Sequence, residues 1–319
     1  LLATPGRGLV ASLDALAYGG LVQSRHLPLA PEDALARLAP LLAWKARGGG
    51  ALYLFGVVPR WDASRRERNL RVLRALASWR GLRGVYLEAV WDDALRNSPR
   101  PREARALGYP ARPGADDAAR VTPYEGLPLE ETVAGGLASA RAVAVPLAEG
   151  PDLVLYVYGG GDPRKAALDL LRLMARHPVA LADLARVNRG DPRLMAYLEG
   201  MGLYARLAAY AAWGTPANNL GSALAQGGLF LEDREGRLSR LAEAYFQYWW
   251  GEVGRPWVRA RFPEPLPEEA QAVAEGFPRV ELDGFWLDLR GLAFPWRRSF
   301  EAWPELALVP RRAGPALGR

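Results

Sequence analysis

Apolar and polar positions along the chain repeat one grammar. A short apolar run leads to a turn containing Gly or Asp, and then to apolar residues at helical spacing. The apolar runs are residues 8–16, 51–58, 84–90, 153–158, 179–184 and 207–212. Helical spacing fills 31–47, 64–79 and 163–176, and a helix-like run spans 220–226. Strands alternating with helices predict an α/β fold with a parallel sheet and right-handed crossovers, either a TIM-like barrel or an open Rossmann-like sheet. Both arrangements bind ligands at the carboxyl ends of the strands. Polar residues gather at those ends: Asp14 and Tyr18, Arg60, Asp92 and Asp93, Asp162, Asn188, then Trp213 to Asn219.

The pattern changes after residue 231. Residues 238–250 read as a helix with an aromatic stripe (Tyr245, Phe246, Tyr248, Trp249, Trp250) suited to a core or interface. A Pro-rich passage follows over 256–267, then a short helix near 268–275. Residues 280–289 alternate like a strand, and 294–301 form an edge or capping segment. The expected organisation is a parallel α/β domain over 1–230 that carries the site, with a small C-terminal α+β appendage over 231–319.

Composition narrows the chemistry. The 319 residues, half of them hydrophobic and 24% charged, have the balance of a soluble globular protein. No apolar run approaches the roughly 18 residues of a membrane span. The first residues lack the pattern of a signal peptide, so a cytoplasmic protein is expected. With no cysteine, disulfides, thiol nucleophiles and thiolate metal sites are excluded. Only His26 and His177 are present, which gives no support to a zinc site or a Ser-His-Asp triad. Carboxylates, tyrosines, amides and arginines are left to act.

No cofactor and no metal is expected. Gly159-Gly160-Gly161-Asp162 lacks both the Lys-Ser/Thr of a P-loop and the GxGxxG spacing. Net charge is +6, almost all from arginine. Arg65, Arg66, Arg68, Arg71 and Arg74 interleave with Leu70, Val72 and Leu73, which reads as a solvated helix face rather than a nucleic-acid surface. Arginine in place of lysine, with few Gln and Met, points to a thermophilic source.

Four constellations carry candidate chemistry. Adjacent Asp92 and Asp93 repel, so one holds its proton as an acid while the other stays ionised; the competing reading is a helix cap. Asp14 with Tyr18, Gly19, Gly20 and Arg25 combines a carboxyl, a close backbone approach and a bidentate cation, or else forms a plain βα turn. Asp116 and Asp117 form a second acidic pair in a Pro/Gly-rich stretch. Trp213, Thr215, Asn218 and Asn219 offer a flat apolar face and paired amides suited to sugar, or else a helix cap beside a packed Trp.

Residues 12–25 and 210–221 resemble a bacterial family known as domain of unknown function 4127. Trp91-Asp92-Asp93-Ala94, Pro113-Gly114-Ala115-Asp116-Asp117, and Val179 to Asp183 followed by Asn188 agree in order. The resemblance implies a further segment ahead of Leu1, bearing a strand and a Pro-Leu-Asp-Glu-Arg-Pro type motif. It also implies Trp-Asn-Thr where this chain has Trp213-Gly214-Thr215, and Glu at the position of Asp117. It implies no reaction.

These residues lead to the expectation of a carbohydrate-active hydrolase, glycosidase-like, acting on a small-molecule or glycan ligand. Asp92 and Asp93 are its acid and its stabiliser or nucleophile. Two alternatives stay open: a non-catalytic sugar or metabolite binder, and a magnesium-dependent hydrolase using Asp14, Asp92 and Asp116. Oligomeric state is left open.

Overall fold

The computed structural model describes residues 6–21, 23–59, 65–91, 102–103, 106–108, 111–113, 133–134, 137, 142–262, 266, 276–294, 297–300 and 302–311. Its backbone contacts divide the chain into two compact units, Leu1–Ala118 and Ala119–Arg319.

In the first unit β1 (Gly8–Ser12), β2 (Ala51–Val58), β3 (Val85–Trp91) and β4 (Ala111–Pro113) form a parallel sheet in the order β1-β2-β3-β4. The helices are α1 (Leu13–Tyr18), α2 (Gln23–His26), α3 (Pro31–Ala46) and α4 (Arg66–Ala75), the last running into a 3-10 turn at Leu76–Gly81. Strand order equal to chain order, with right-handed crossovers, sends the connecting helices to one face of a sheet. The period-two pattern follows suit. Leu52, Leu54, Val85 and Leu87 pack with Leu13, Leu38, Leu41, Leu70 and Leu73 in the core. On the opposite face Val10, Tyr53, Phe55 and Tyr86 are exposed, and Tyr53 stacks on Tyr86 with ring centroids 4.7 Å apart.

In the second unit β5 (Val154–Tyr158), β6 (Val179–Asp183) and β7 (Ala209–Ala211) form a parallel sheet in the order β5-β6-β7. Around it lie α5 (Pro163–Met174), α6 (Pro192–Gly200), α7 (Pro216–Glu232) and α8 (Arg237–Trp249). A π-helical turn at Trp250–Gly254 then leads into α9 (Arg255–Arg261). Every residue of β6 is buried. Ala180 and Ala182, with Ala209 and Ala211 of β7, meet Leu220 and Ala223 of α7. Leu181 and Tyr210 join a larger core with α5, α6, α8 and an antiparallel sheet. That sheet contains β8 (Val280–Leu282), β9 (Phe285–Ala293) and β10 (Trp303–Pro310) in the order β10-β9-β8. The aromatic stripe of α8 is part of this core, with Trp249 edge-on to Phe277 and Phe246 stacked on Trp250.

The expected mixed α/β character and parallel sheets are present. The barrel is not: the parallel strands form two separate sheets, and none closes into a barrel among the described residues. The run 8–16 is divided, because the Ser12 hydroxyl accepts from the Ala15 amide (3.3 Å) and starts a helix at Leu13. The run 280–289 is a hairpin. Asp283 and Gly284 take φ of 49° and 84°, the positive values that a tight two-residue turn demands. β10 had no counterpart in the sequence reading. The change of character near residue 230 falls inside α7, and the helix expected near 268–275 lies outside the described residues. No helix among the described residues is long and apolar enough to cross a membrane.

Candidate functional site

Asp14 enters the first unit on the first turn of α1, just past the carboxyl end of β1. It is buried, and its Oδ2 accepts the Val57 amide (2.8 Å) near the end of β2. Burial raises its carboxyl from an ordinary 3.8 to about 6, against the lowering effect of that amide. A carboxyl poised there exchanges a proton near neutrality. Tyr18, one turn on, is also buried, and burial pushes its phenol up to about 12. The guanidinium of Arg68 lies 4.5 Å from the centre of its ring.

Gly19 takes φ of 93° and closes α1, its amide donating to Ala15 O (2.8 Å), while Gly20 donates to Asp14 O (3.1 Å). The tandem glycines therefore have a structural task as a left-handed helix cap. Arg25 is half-buried on α2. Arg68 departs from the solvated face expected of its helix. It is buried, donates to the carbonyls of Ser24, Leu27 and Leu29, and shares Ser24 O with Asn69. It anchors the segment that carries Arg25.

The four parallel strands of this sheet end on one edge, with neighbouring strands about 4.8 Å apart. From those ends the chain runs into Asp14 after β1, into Asp92 and Asp93 directly after Trp91 of β3, and towards Asp116 and Asp117 after Pro113 of β4. Arg60, Asp92, Asp93, Asp116 and Asp117 lie outside the described residues. Among the described residues no three carboxylate or imidazole side chains converge as a metal site, and of the magnesium set only Asp14 is described.

Trp213, Thr215, Asn218 and Asn219 belong to the second unit, at the carboxyl edge of β5-β6-β7. Asn219 is buried and fully engaged: Oδ1 accepts the Gly214 amide (2.8 Å), and Nδ2 donates to Asp183 O (2.9 Å) and Gly214 O (3.3 Å). It ties the loop to the end of β6. Asn218 is exposed and donates to Thr215 Oγ1 (3.1 Å), while Trp213 and Thr215 are half-buried. The Gly159 to Asp162 run is a helix start. Asp162 accepts the amides of Arg164 and Lys165, and Pro163 opens α5.

The reading from sequence missed a buried cluster at this edge. Asp183 Oδ1 accepts the Ala185 amide (3.1 Å), and Oδ2 accepts the Asp191 amide (2.7 Å) and the Tyr210 hydroxyl (3.5 Å). Asp191 caps α6 and accepts from Tyr158 Oη (3.0 Å) and Arg193 (2.9 Å). Burial raises Asp183 to about 6. Burial also pushes Asp191 upward, but hydrogen bonds from Arg193 and Tyr158 outweigh it and its pKa is lowered. Two carboxyls driven apart in this way resemble an acid and base pair, yet both are buried and spent on internal donors. They brace the 184–191 loop instead. The signals were available: an Asp closing the otherwise apolar Val179 to Asp183, and Asp191-Pro192 as a helix start.

A cavity of about 330 Å³ lies elsewhere in the second unit, beside the turn that precedes β7, lined by Glu199, Tyr204, Tyr245, Arg279 and Glu281 among others. Tyr245 Oη donates to Glu199 there (2.5 Å).

Comparison with curated proteins and with solved structures finds no match to this chain. A family model described as a protein of unknown function, DUF4127, matches residues 3–83 and 105–303. That match takes in both units, with Asp14 and Tyr18 in the first and the Trp213 to Asn219 loop in the second, and the chain belongs to the DUF4127 family.

Proposed function

We propose that the protein is a carbohydrate-active hydrolase of glycosidase type, working at the carboxyl edge of the β1-β2-β3-β4 sheet. The observation that carries this reading is the strand order. It sets the ends of β1, β3 and β4 along one edge, and the chain leaves those ends into Asp14, Asp92-Asp93 and Asp116-Asp117. Glycoside hydrolysis needs two carboxyl groups about 5 to 9.5 Å apart, and Asp92 and Asp93 follow one another in the chain directly after β3. Asp92 or Asp93 acts as proton donor and the other as nucleophile or stabiliser. Asp14, held protonatable by burial, Tyr18, Arg25 and the Asp116-Asp117 pair hold the substrate.

Turnover of a panel of aryl glycosides by Asp92→Asn and Asp93→Asn tests the assignment. Each loses a factor of roughly 100 to 10,000 in kcat/KM, the usual worth of a positioned acid or base. Wild-type turnover in both variants removes the assignment.

A second reading, a non-catalytic sugar or metabolite binder, draws support from the second unit. There the exposed Asn218 and half-buried Trp213 stand beside carboxyls already consumed by internal hydrogen bonds. Saturable heats with a glycan in calorimetry, without turnover, favour it over hydrolysis.

A further inference from the structure

The loop after β6 and the π turn after α8 meet at an arginine-rich surface that the proposed hydrolysis does not use. Arg186 donates to Glu252 Oε2 (2.8 Å) and to Gly190 O (3.3 Å), which joins the loop to the turn. Arg189 approaches the other carboxylate oxygen of Glu252 at 4.0 Å. Gly251 lets the turn come close, since a Cβ there would stand 3.0 Å from Asn188 O. Asn188 itself takes φ of 58° and donates its amide to Gly214 O (2.9 Å). The surface is therefore mounted on a braced frame.

Charge on this frame is unbalanced. Arg186 consumes Glu252. Arg255, half-buried and next on the helix, has no ion pair among the described residues, and its guanidinium lies 5.2 Å over the Phe300 ring. Arg259 follows four residues later, on the same helix face as Arg255, again with no ion pair among the described residues. Burial and the neighbouring charges of Arg189 and Arg259 depress the Arg255 pKa, with Glu252 only partly opposing them. Several guanidinium charges gathered around a single carboxylate repel one another, and π turns inserted between α-helices recur at functional sites.

We propose that Arg189, Arg255 and Arg259 form a binding site for a phosphate monoester, at the carboxyl edge of the β5-β6-β7 sheet. Arg189 shares Glu252 with Arg186, and a carboxylate would offset only one of the two remaining guanidinium charges, those of Arg255 and Arg259. A phosphate monoester is close to dianionic at neutral pH and presents three acceptor oxygens to the planar forks of arginine. This site stands independently of the glycosidase reading.

The test is a thermal-shift and calorimetric titration of the full chain with inorganic phosphate at constant ionic strength. Parallel arms use acetate and a short single-stranded oligonucleotide. Saturable stabilisation by phosphate is expected, weakened at least tenfold in both Arg255→Gln and Arg259→Gln and unchanged in Arg164→Gln, an exposed arginine on another helix. Without phosphate, Arg259→Gln melts at or above the wild-type temperature, because repulsion has been relieved. The proposal is overturned by a non-saturable response, by equal affinity for acetate, or by undiminished phosphate binding in Arg259→Gln. It is also overturned if the oligonucleotide binds far more tightly than phosphate, which would assign the surface to nucleic acid.

Discussion

Asp14 and Asp183 are both buried carboxyls held near pKa 6, yet they are held by different partners. Asp183 gives both oxygens to backbone amides and a tyrosine, so its environment is closed. Asp14 gives Oδ2 to one amide, that of Val57, and sits on the first turn of α1, one turn before Tyr18. The raised value has a thermodynamic sign. Between pH 3.8 and about 6 the unfolded chain releases the Asp14 proton while the folded chain keeps it, so folding stability falls as pH rises through that window. Each unit of elevation is worth about 1.4 kcal/mol. Asp14→Asn removes this contribution. Urea denaturation from pH 4 to pH 7 is expected to show the variant gaining on wild type up to about pH 6 and then running parallel to it; a pH-independent difference would refute the buried-carboxyl account. Asp183 titrates in both proteins and cancels.

The 184–191 loop shows how one connection is held from several sides. Gly190 packs so tightly that a Cβ would stand 2.6 Å from Tyr210 Oη and 2.9 Å from Tyr248 Cδ2. Gly190→Ala should cost about 1–3 kcal/mol through overpacking, read as a lowered melting temperature. Gly200→Ala, where nothing lies within 4 Å, leaves stability unchanged or raises it. Equal effects at the two glycines would show that the loop yields. Elements of this kind were legible to different depths. Residues 51–58 read correctly as a strand because the run is almost purely apolar and buries one face under helices. Residues 280–289 misled because alternation continues across the two-residue turn, even though Asp283-Gly284 is itself a hairpin signal. β10 escaped because Pro304 and Pro310 stand at its two ends and most of its residues are only half-buried. Asp14 reads from sequence as a strand-end residue, whereas the Ser12 cap makes it a helix residue. Arg68 reads as solvated because its partners are backbone carbonyls distant in the chain, which no local spacing reveals, whereas Asp183 was legible as the acidic residue that closes an apolar run.

At the scale of the molecule, each unit has its own core, one around Leu54 and Leu87 and the other around Phe246 and Tyr210. Calorimetry is therefore expected to resolve two transitions. Phe246→Ala, at a fully buried site, should lower one of them by the equivalent of about 3–5 kcal/mol and leave the other in place. A single transition shifted as a whole would show one cooperative block instead. The order β1-β2-β3-β4 has a temporal consequence as well. Every strand of the first sheet pairs with the one before it in the chain, so each loop to be closed spans a single crossover and the sheet can grow as it is synthesised. The second core must wait, because it joins Leu181 to Phe294. At about 5–20 residues per second, roughly 200 residues separate the end of β4 from the end of β10, a delay of about 10–40 s. The row of Val10, Tyr53 and Tyr86 is exposed from the moment the first sheet forms and stays exposed in the complete chain, so capture by a chaperone or by its own kind is open long before synthesis ends.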